Sequence, residues 1–474
     1  MMHMIRLFLL LLLPNSLLCG VCHTQDEIYD VIIVGAGISG LSAAATLKKN
    51  GVEKILVLEA TDRIGGRVWT IDPWGSKLEM GASWIHGIEN SPTFELVKEM
   101  NLTIQPTIYN NACLTCKMNS MALYDQNGKR FSNEEISTLK NYVDQFEEYL
   151  DELNAESRNN SLSFHDALIN FSKKNDFSNE TYNKLYFILR LLNTYELAVD
   201  LQEMSVAVEE LYKQTQVSGT NGIIPLGYNL IAGKMAKNLP LELNSVVEKI
   251  SYGSSVIECK TNKGIYKAKN CIVTVPLGVL KQNKIAFTPP LPKEKIEVIN
   301  KIQTGVFNKI YLLFPCAFWD KDVEWIEQIP PPEYRDQIFD IMNFGKYFKQ
   351  PILLAFTAGS FAKEVENWSD EKTIDTVLAV LKKIYGEKIP APSSYRITRW
   401  GKDPYSLCSY SSPGLQSDEQ TYATFAEPVN DHLFFSGEAT SQTNCSTVLG
   451  AFETGQRAAK QALKALNIKI IDEE

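Results

Sequence analysis

The chain has 474 residues, nine cysteines, five histidines and a formal net charge of −9 at pH 7. This length predicts two or more domains, or one discontinuous pair. Five histidines leave little room for a metal site built from several histidines or for a Ser-His-Asp triad, so we expect no metal centre. The acidic balance disfavours nucleic acid and anionic membrane surfaces as partners and suits a cationic small molecule.

The N-terminal segment has the pattern of a signal peptide. Arg6 precedes a leucine-rich run at 7–13, which is broken by Pro14 and Asn15. The run is too short to cross a bilayer, which needs about 20 apolar residues. We therefore expect residues 1–24 to be removed, and the mature protein to be secreted or to reside in the lumen of the secretory pathway without a membrane anchor.

N-x-[ST] sequons agree with that route. A sixth sequon, Asn444, lies in a segment assigned below to the cofactor site, so we expect it to be unmodified. The other five are predicted surface glycosylation sites: Asn101, Asn159, Asn170, Asn179 and Asn367.

An apolar, β-branched run at 30–34 leads into the sequence GAGISG. Gly35, Gly37 and Gly40 are expected to close the turn between a buried strand and a helix. A second strand follows and ends at Glu59. This spacing places a carboxylate where dinucleotide-binding βαβ units bind a ribose 2′-hydroxyl, so the pattern predicts a Rossmann-like site.

The next segment, ATDRIGGRVWT, favours FAD over a nicotinamide cofactor. Gly65 and Gly66 allow the backbone to approach a ligand closely, and Arg63 and Arg67 offer donors to a pyrophosphate. The segment resembles the second fingerprint of FAD-dependent amine oxidases and of glutathione reductase-like flavoproteins.

A strand, turn and helix are predicted near the C-terminus. A short strand at 433–436 is followed by Gly437 and Glu438, and an alanine-rich amphipathic helix is predicted from about Thr447 onward. Elements of this kind at opposite ends of one chain indicate that both ends contribute to one cofactor site.

Four further motifs give the chain a resemblance to polyamine oxidases of the flavin amine oxidase family. They are GASWIHG (81–87), IVTVPLGVLK (272–281), VFNKIYLLFP (306–315) and RWGKDPYSLCSYSSPG (399–414). The resemblance covers nearly all of the chain after the signal peptide. It is closest to plant secreted polyamine oxidases and to animal spermine and acetylpolyamine oxidases.

The resemblance implies an α/β fold with two domains. One is a discontinuous, Rossmann-like FAD-binding domain at 28–105, 222–300 and 395–474. The other is a mixed α+β substrate-binding domain at 106–221 and 301–394.

Carried over residue by residue, the resemblance implies a set of site residues. Lys309 matches the lysine that holds a water near flavin N5, and Lys309 and His86 are the predicted catalytic residues, handling protons and placing water. The predicted substrate-binding residues are Trp84, Glu196, Phe307, Tyr410 and Thr447. The predicted FAD-binding residues are Gly35, Gly37, Ser39, Gly40, Glu59, Ala60, Arg67, Gly81, Ala82, Ser83, Trp84, Val247, Trp400, Gly437, Glu438, Thr447 and Val448.

Some positions depart from the related enzymes. Thr447 stands where monoamine oxidases carry the second tyrosine of an aromatic cage, and Phe307 stands where plant polyamine oxidases carry a tyrosine. These differences favour a longer, less aromatic pocket over one for small monoamines. Ser409 takes the place of the cysteine that binds the flavin covalently in monoamine oxidases, with Cys408 one residue early. We therefore expect non-covalent FAD.

The resulting prediction is a secreted FAD-dependent oxidase of spermine, spermidine or their acetylated forms. A carbon next to nitrogen gives hydride to flavin N5, the imine is hydrolysed and O2 is reduced to hydrogen peroxide, while Glu196 binds a distal ammonium. One alternative is an L-amino-acid oxidase, which would need a pocket arginine to bind a carboxylate. Another is a fatty acid double-bond isomerase with no net oxidation. The oligomeric state stays open.

Overall fold

The computed structural model describes residues 27–89, 91–107, 114–156, 162–207 and 219–471. The expected signal peptide and the Asn159 sequon lie outside these residues, so both stay predictions. Within the described ranges, no helix has the length and apolar composition needed to cross a membrane. The same ranges contain no group of His, Cys, Asp and Glu side chains placed to hold a metal ion.

The secondary structure is given in chain order. The strands are β1 Ile28–Val34, β2 Ile55–Leu58, β3 Thr70–Ile71, β4 Leu78–Glu79, β5 Gln105–Pro106, β6 Met121–Tyr124, β7 Gly222–Ile223, β8 Leu241–Glu242, β9 Val247–Ser251, β10 Ile257–Thr261, β11 Gly264–Val273, β12 Ala286–Thr288, β13 Gln303–Gly305, β14 Phe307–Leu313, β15 Trp325–Gln328, β16 Asp340–Met342, β17 Ile352–Ala358, β18 Ser394–Ile397, β19 Tyr410–Ser412 and β20 Leu433–Phe435. The α-helices are Ile38–Lys49, Pro92–Glu99, Asn133–Glu156, Phe164–Lys174, Asn179–Leu189, Tyr195–Leu197, Asn229–Met235, Leu277–Lys281, Lys293–Lys301, Gly359–Val365, Asp370–Tyr385, Glu419–Ala426 and Val448–Ala465. Short 3-10 helices span Leu114–Ser120, Pro332–Tyr334, Phe344–Lys346 and Glu438–Thr440, and a π-helix spans Arg190–Thr194.

An eight-stranded sheet forms the centre of the Rossmann-like domain. Its strand order is β12, β9, β10, β11, β1, β2, β8, and β20 pairs with the end of β11. The side chains of β1 alternate between two cores, Val31 and Ile33 on one face and Ile32 and Val34 on the other. Because both faces are covered, the strand is a continuous apolar run and has no polar alternation.

The helices Ile38–Lys49 and Val448–Ala465 pack together although they lie at opposite ends of the chain. Ser42 Oγ donates to Phe452 O over 2.8 Å. Small residues allow this approach, because a Cβ at Gly455 would lie 2.3 Å from Ser39 O. The C-terminal strand and helix that the sequence predicts are therefore present and complete the N-terminal βαβ unit.

The second sheet has six strands in the order β18, β14, β17, β16, β15, β6. Neighbouring strands are antiparallel except β15 and β6, which run parallel. One face packs against the helices Asn133–Glu156, Phe164–Lys174 and Asn179–Leu189. The other face packs against Gly359–Val365 and Asp370–Tyr385.

The two sheets confirm the predicted fold class, a discontinuous Rossmann-like α/β domain with a mixed α+β domain. One predicted boundary needs correction. The division between residues 394 and 395 falls inside β18, which pairs with β14 of the six-stranded sheet. The second domain therefore continues to Ile397.

The helix Asn179–Leu189 changes into the π-helix Arg190–Thr194 beside the second sheet. Arg190 is 1% exposed, and its Nη1 lies 3.0 Å from a carboxylate oxygen of Asp200 and of Asp336. Two carboxylates offset the cost of burying the guanidinium group. This pairing fixes the turn that follows the π-helix.

Gly40 is required by packing, because a Cβ at this position would lie 1.9 Å from Gly35 O. We expect Gly40→Ala to lower the free energy of unfolding by about 1–3 kcal/mol, the usual effect of overpacking. Gly233→Ala is the matched control: its Cβ meets nothing within 4 Å, and alanine should stabilise the helix Asn229–Met235 by up to about 1 kcal/mol. Thermal unfolding measures both effects. A Gly40→Ala variant as stable as the wild type would show that the turn can shift to admit the methyl group.

Candidate active site

A cavity of about 1090 Å³ lies between the two domains and is lined by both. This volume is at the upper end of the range for ligand pockets, roughly 300–1,000 Å³, so there is room for a large cofactor and a smaller ligand. The predicted site residues that line it are Gly35, Gly37, Ser39, Glu59, Ala60, Arg67, Gly81, Ala82, Ser83, Trp84, His86, Glu196, Val247, Phe307, Lys309, Trp400, Tyr410, Gly437, Glu438, Thr447 and Val448.

The glycine-rich turn after β1 brings a helix N-terminus to the cavity. Gly35 has a φ of +109°, a conformation that favours glycine. Gly37 is the N-cap of the helix Ile38–Lys49, whose first turn contains no acidic residue, so the partial positive charge of this helix end is available to an anionic ligand. Gly40 does not line the cavity. It packs behind the turn against Gly35, which corrects the predicted cofactor contact.

Glu59 follows β2 and is held beside this turn. Its Oε2 accepts from Ala36 N at 2.7 Å, and its Oε1 accepts from the amide and the hydroxyl of Thr61 at 2.9 and 2.7 Å. An ionised carboxylate accepts about four hydrogen bonds, so one more acceptor position remains. The placement fits a carboxylate that accepts a ribose hydroxyl.

A buried ion pair joins the loop after β2 to the C-terminal segment. Arg67 Nη1 lies 2.9 Å from Glu438 Oε1 and donates to Ser409 O at 3.0 Å. Burial is the largest single effect and opposes the charge of Arg67, but the charge and hydrogen bond of Glu438, together with Cys408, outweigh burial and raise the pKa of the guanidinium. Glu438 Oε2 also accepts from Ser411 Oγ at 2.5 Å and from Ser446 N at 3.0 Å. These contacts hold three separate segments together at the cavity wall.

The helix Val448–Ala465 brings a second N-terminus to the cavity. Thr447 is its N-cap, and the hydroxyl of Thr447 accepts from Gly450 N at 3.0 Å. The first turn contains no acidic residue, and Val448 lines the cavity. Two helix N-termini from opposite ends of the chain therefore border the same cavity, which suits an anionic or electron-rich ligand between them.

Lys309 lies on β14, where the two domains meet. Its side chain is buried, and Nζ donates to Glu79 O at 2.8 Å, to Gly81 O at 2.5 Å and to Ser83 Oγ. Burial lowers the pKa of Lys309 to about 7, against the opposing effect of the Glu79 carboxylate. Burial also raises the pKa of Glu79. A lysine that titrates near neutrality can hold or release a proton inside the cavity.

Aromatic rings form the cavity wall next to Lys309. The ring centroids of Phe307 and Tyr410 are 6.2 Å apart, and those of Phe307 and Phe356 are 5.1 Å apart. The ring of Trp84 lies 6.2 Å from Phe356, and Lys309 Nζ lies 5.9 Å from the Trp84 ring. We call this group of rings the aromatic chamber. It offers apolar surface to an aliphatic chain and excludes water.

Trp400 ties the cavity wall to the second sheet. Its indole Nε1 donates to Met80 O at 2.9 Å, and its backbone amide donates to the Asn308 side chain at 2.9 Å. Gly81 lies beside this ring, and a Cβ there would be 1.8 Å from Arg67 O. Trp400 therefore holds the 80–81 backbone that accepts the Lys309 hydrogen bonds.

Two further ionisable side chains face the cavity. Glu196 follows the π-helix and lies near Tyr410, whose pKa is raised well above its usual range by burial and by the charge of Glu196. His86 lines the cavity in the segment 81–87, which is held by a hydrogen bond from Gly87 N to the Asn221 side chain at 3.2 Å. Both side chains share the cavity with Lys309.

Sequence analysis missed several residues of this cavity. Glu79 does not line the cavity but accepts a hydrogen bond from Lys309 through its backbone oxygen. It carries a local signal, since it lies two residues before the GASWIHG motif. Other lining residues depend on chain segments that meet only in the folded protein, and they include Lys117, Tyr195, Trp325, Asp340 and Phe356.

One part of the cavity is formed by the glycine-rich turn after β1, by Glu59 and by the two helix N-termini, and we call it the dinucleotide cradle. The aromatic chamber is the other part, and the buried Lys309 lies where the two meet. Comparison with known proteins identifies the family to which a chain with this cavity belongs. The sequence pattern of the family described as flavin containing amine oxidoreductase matches residues 38–463. The chain belongs to this family. The predicted resemblance to the flavin amine oxidase family is thereby confirmed, and the protein is an amine oxidase with a flavin cofactor.

Relatives cover almost the full length of the chain. It is 32% identical to probable polyamine oxidase 4 of Arabidopsis thaliana over 459 residues, 94% of this chain and 90% of that protein. It is 34% identical to polyamine oxidase 4 of Oryza sativa subsp. japonica over 448 residues, 92% of this chain and 89% of that protein. A solved structure of putrescine oxidase bound to putrescine has a TM-score of 0.75 at 23% identity and covers 92% of this chain and 99% of its own. This last likeness concerns the fold.

Proposed function

We propose that this amine oxidase acts on polyamines such as spermine, spermidine or their acetylated forms, with non-covalently bound FAD. The observation that carries the proposal is the cavity in which Lys309 lies at the junction of the dinucleotide cradle and the aromatic chamber, with Glu196 elsewhere in the lining. Relatives named polyamine oxidases support it. Bound FAD would accept the hydride, and O2 would take up the electrons to give hydrogen peroxide.

The aromatic chamber would position the reacting part of the amine. Phe307, Phe356 and Tyr410 provide an apolar wall beside Lys309, which suits the carbon next to the reacting nitrogen and keeps water away. Glu196 lies in the same cavity and would attract a remote ammonium group of the substrate. The reacting end of the amine would thus contact aromatic rings, and its remote end would contact a carboxylate.

Lys309 would accept a proton from the substrate amine and hold a water molecule in the cavity. A substrate amine reacts only when it is neutral, although it is protonated in solution. Burial lowers the pKa of Lys309 to about 7, so Nζ can accept a proton or hold a water at physiological pH. His86 lines the same cavity and would assist in moving the proton to solvent.

The cysteines support non-covalent binding. Ser409 stands where a covalent attachment would form, and its Oγ donates to Phe307 O at 2.8 Å. Cys408, one residue earlier, is fully buried and does not line the cavity. None of the five cysteines whose side chains the structure describes lines it.

The arginines argue against an L-amino-acid oxidase. Among the described residues that line the cavity, Arg63 and Arg67 are the only arginines. Arg63 donates to Gly66 O at 2.7 Å, and Arg67 is paired with Glu438. Neither lies in the aromatic chamber, where a substrate carboxylate would need a bidentate partner. Glu196 would also repel the carboxylate of an amino acid or a fatty acid.

We also propose that the protein enters the secretory pathway, on the basis of the N-terminal pattern at 1–24 and of the sequons. Four sequon asparagines lie at exposed positions, Asn101, Asn170, Asn179 and Asn367. Asn444 is buried, and its side chain donates to Glu453 at 2.9 Å.

In a secreting eukaryotic host, we expect the protein in the medium to lose mass when N-glycans are removed. Retention in the cytosol with an unchanged mass would refute the proposal.

Replacing Lys309 by methionine should leave flavin bound and slow amine oxidation by at least about a hundredfold, the usual range for a lost proton-handling group. In the wild type, kcat/KM should rise with pH through about 7 as Nζ loses its proton, and this limb should be absent in Lys309→Met. Lys346→Met is the control, because Lys346 pairs with Glu324 at 3.4 Å outside the cavity lining. Acid precipitation should release the yellow colour from all three proteins. A Lys309→Met profile that matches the wild type would rule out this role.

Spermine or acetylspermine should exceed benzylamine and putrescine in kcat/KM by at least about a hundredfold, equivalent to roughly 2.7 kcal/mol. The reason is that contacts with remote groups orient the reacting carbon, so a shortened amine loses turnover as well as affinity. Glu196→Gln should narrow the ratio, and high ionic strength should do the same. Glu203→Gln, outside the cavity lining, should not change it. Equal efficiency on benzylamine and spermine would contradict the polyamine proposal and leave the amine oxidase assignment intact.

A further inference from the structure

A second buried lysine lies in the cavity wall and has no part in the chemistry above. Lys117 Nζ lies 4.0 Å from the centre of the Trp325 ring. It donates to Asp340 Oδ2 at 2.6 Å and lies 3.6 Å from Glu327 Oε1. We call Trp325, Glu327 and Asp340 the cation cage. An aromatic face beside carboxyl groups is an arrangement that binds ammonium ligands.

The cation cage lies on the same face of the six-stranded sheet as Lys309. Lys309 on β14 is opposite Phe356 on β17, and Phe356 is opposite Asp340 on β16. Residues paired in this way point to the same side of a sheet, and two strand spacings separate the Lys309 and Asp340 backbones by roughly 10 Å. The Phe356 ring is 6.2 Å from the Trp325 ring. An amine held beside Lys309 and extended over Phe356 therefore leads to the cage.

The cage already contains its cation. Burial and the neighbouring charge of Asp340 raise the pKa of Glu327 well above its usual range. The closer partner of Lys117 is Asp340, at 2.6 Å against 3.6 Å for Glu327. The Lys117 ammonium thus occupies the position that a ligand ammonium would take, and a ligand ammonium buried beside it would have no free carboxylate as a partner.

We propose that Lys117 fills a cation site built into the substrate cavity, and that it selects amines whose arm over Phe356 ends without a positive charge. An N-acylated arm has this property, whereas a free primary ammonium does not. The other arm can stay cationic, because Glu196 lies elsewhere in the same cavity. The selection between substrates rests on the proposed polyamine oxidation. The existence of the cation cage does not depend on that proposal.

An ammonium probe tests the cage without turnover. We compare the rise in melting temperature with methylammonium chloride to the rise with an equal concentration of KCl. In the flavin-loaded Lys117→Ala variant, methylammonium should enter the vacated position, so this excess over KCl should be at least about 2 °C larger than in the wild type, where methylammonium can still meet Glu196. Lys346→Ala, which removes a lysine from the buried carboxyl group of Glu324 outside the cavity, should show the wild-type excess. An excess in Lys117→Ala equal to that of the wild type would overturn the proposal.

The relative kcat/KM values of two substrates test whether Lys117 selects against a charged arm. The ratio of kcat/KM for spermine to that for N1-acetylspermine should rise at least about tenfold in Lys117→Ala relative to the wild type, and should be unchanged in Lys346→Ala. If Lys117→Ala does not fold, Lys117→Gln keeps a donor for Asp340 and should shift the ratio in the same direction. An unchanged ratio in the folded variant would refute the selection role. If the wild type oxidises no polyamine, the proposed function fails, and the methylammonium measurement still decides whether the cage exists.

Discussion

The burial of the Lys309 ammonium group sets the relation between the two domains. The lysine belongs to the six-stranded sheet, while the oxygens of Glu79, Gly81 and Ser83 that accept its hydrogen bonds belong to the segment leaving the Rossmann-like domain. A buried ammonium is costly unless its hydrogen bonds are satisfied. The two domains therefore meet at one separation, and the cavity is the space that this separation leaves open.

Two of the positively charged side chains in the cavity wall are paired with carboxylates of the protein. Arg67 pairs with Glu438, and Lys117 pairs with Asp340. The groups of the wall that would face a flavin are mainly backbone amides at the N-termini of the helices Ile38–Lys49 and Val448–Ala465. Such fixed dipoles need no rearrangement when a ligand arrives or when its charge changes. This arrangement suits a cofactor whose charge alternates during turnover.

Local patterns in the sequence were enough for the parts of the site that are continuous in the chain. The βαβ unit with Glu59 follows from periodicity and glycine spacing, and the position of Lys309 follows from a resemblance. The role of Gly40 was misjudged, because close helix packing and ligand approach both require glycine. The contact between Lys117 and Asp340 could not be predicted, since 223 residues separate them and Lys117, in the 3-10 helix Leu114–Ser120, reaches β16 only in the folded protein. The end of the second domain at Ile397 also could not be predicted, because it depends on the pairing of β18 with β14, which composition does not reveal.

The packing of the first helix against the last one has a consequence for synthesis on the ribosome. Ser42 and its acceptor Phe452 are 410 residues apart, a distance that takes on the order of 20–80 s to translate at roughly 5–20 residues per second. During that interval the apolar face of the helix Ile38–Lys49 lacks its natural cover. We therefore expect a nascent chain of this protein to leave this face uncovered, and open to chaperone binding, until the helix Val448–Ala465 has left the exit tunnel.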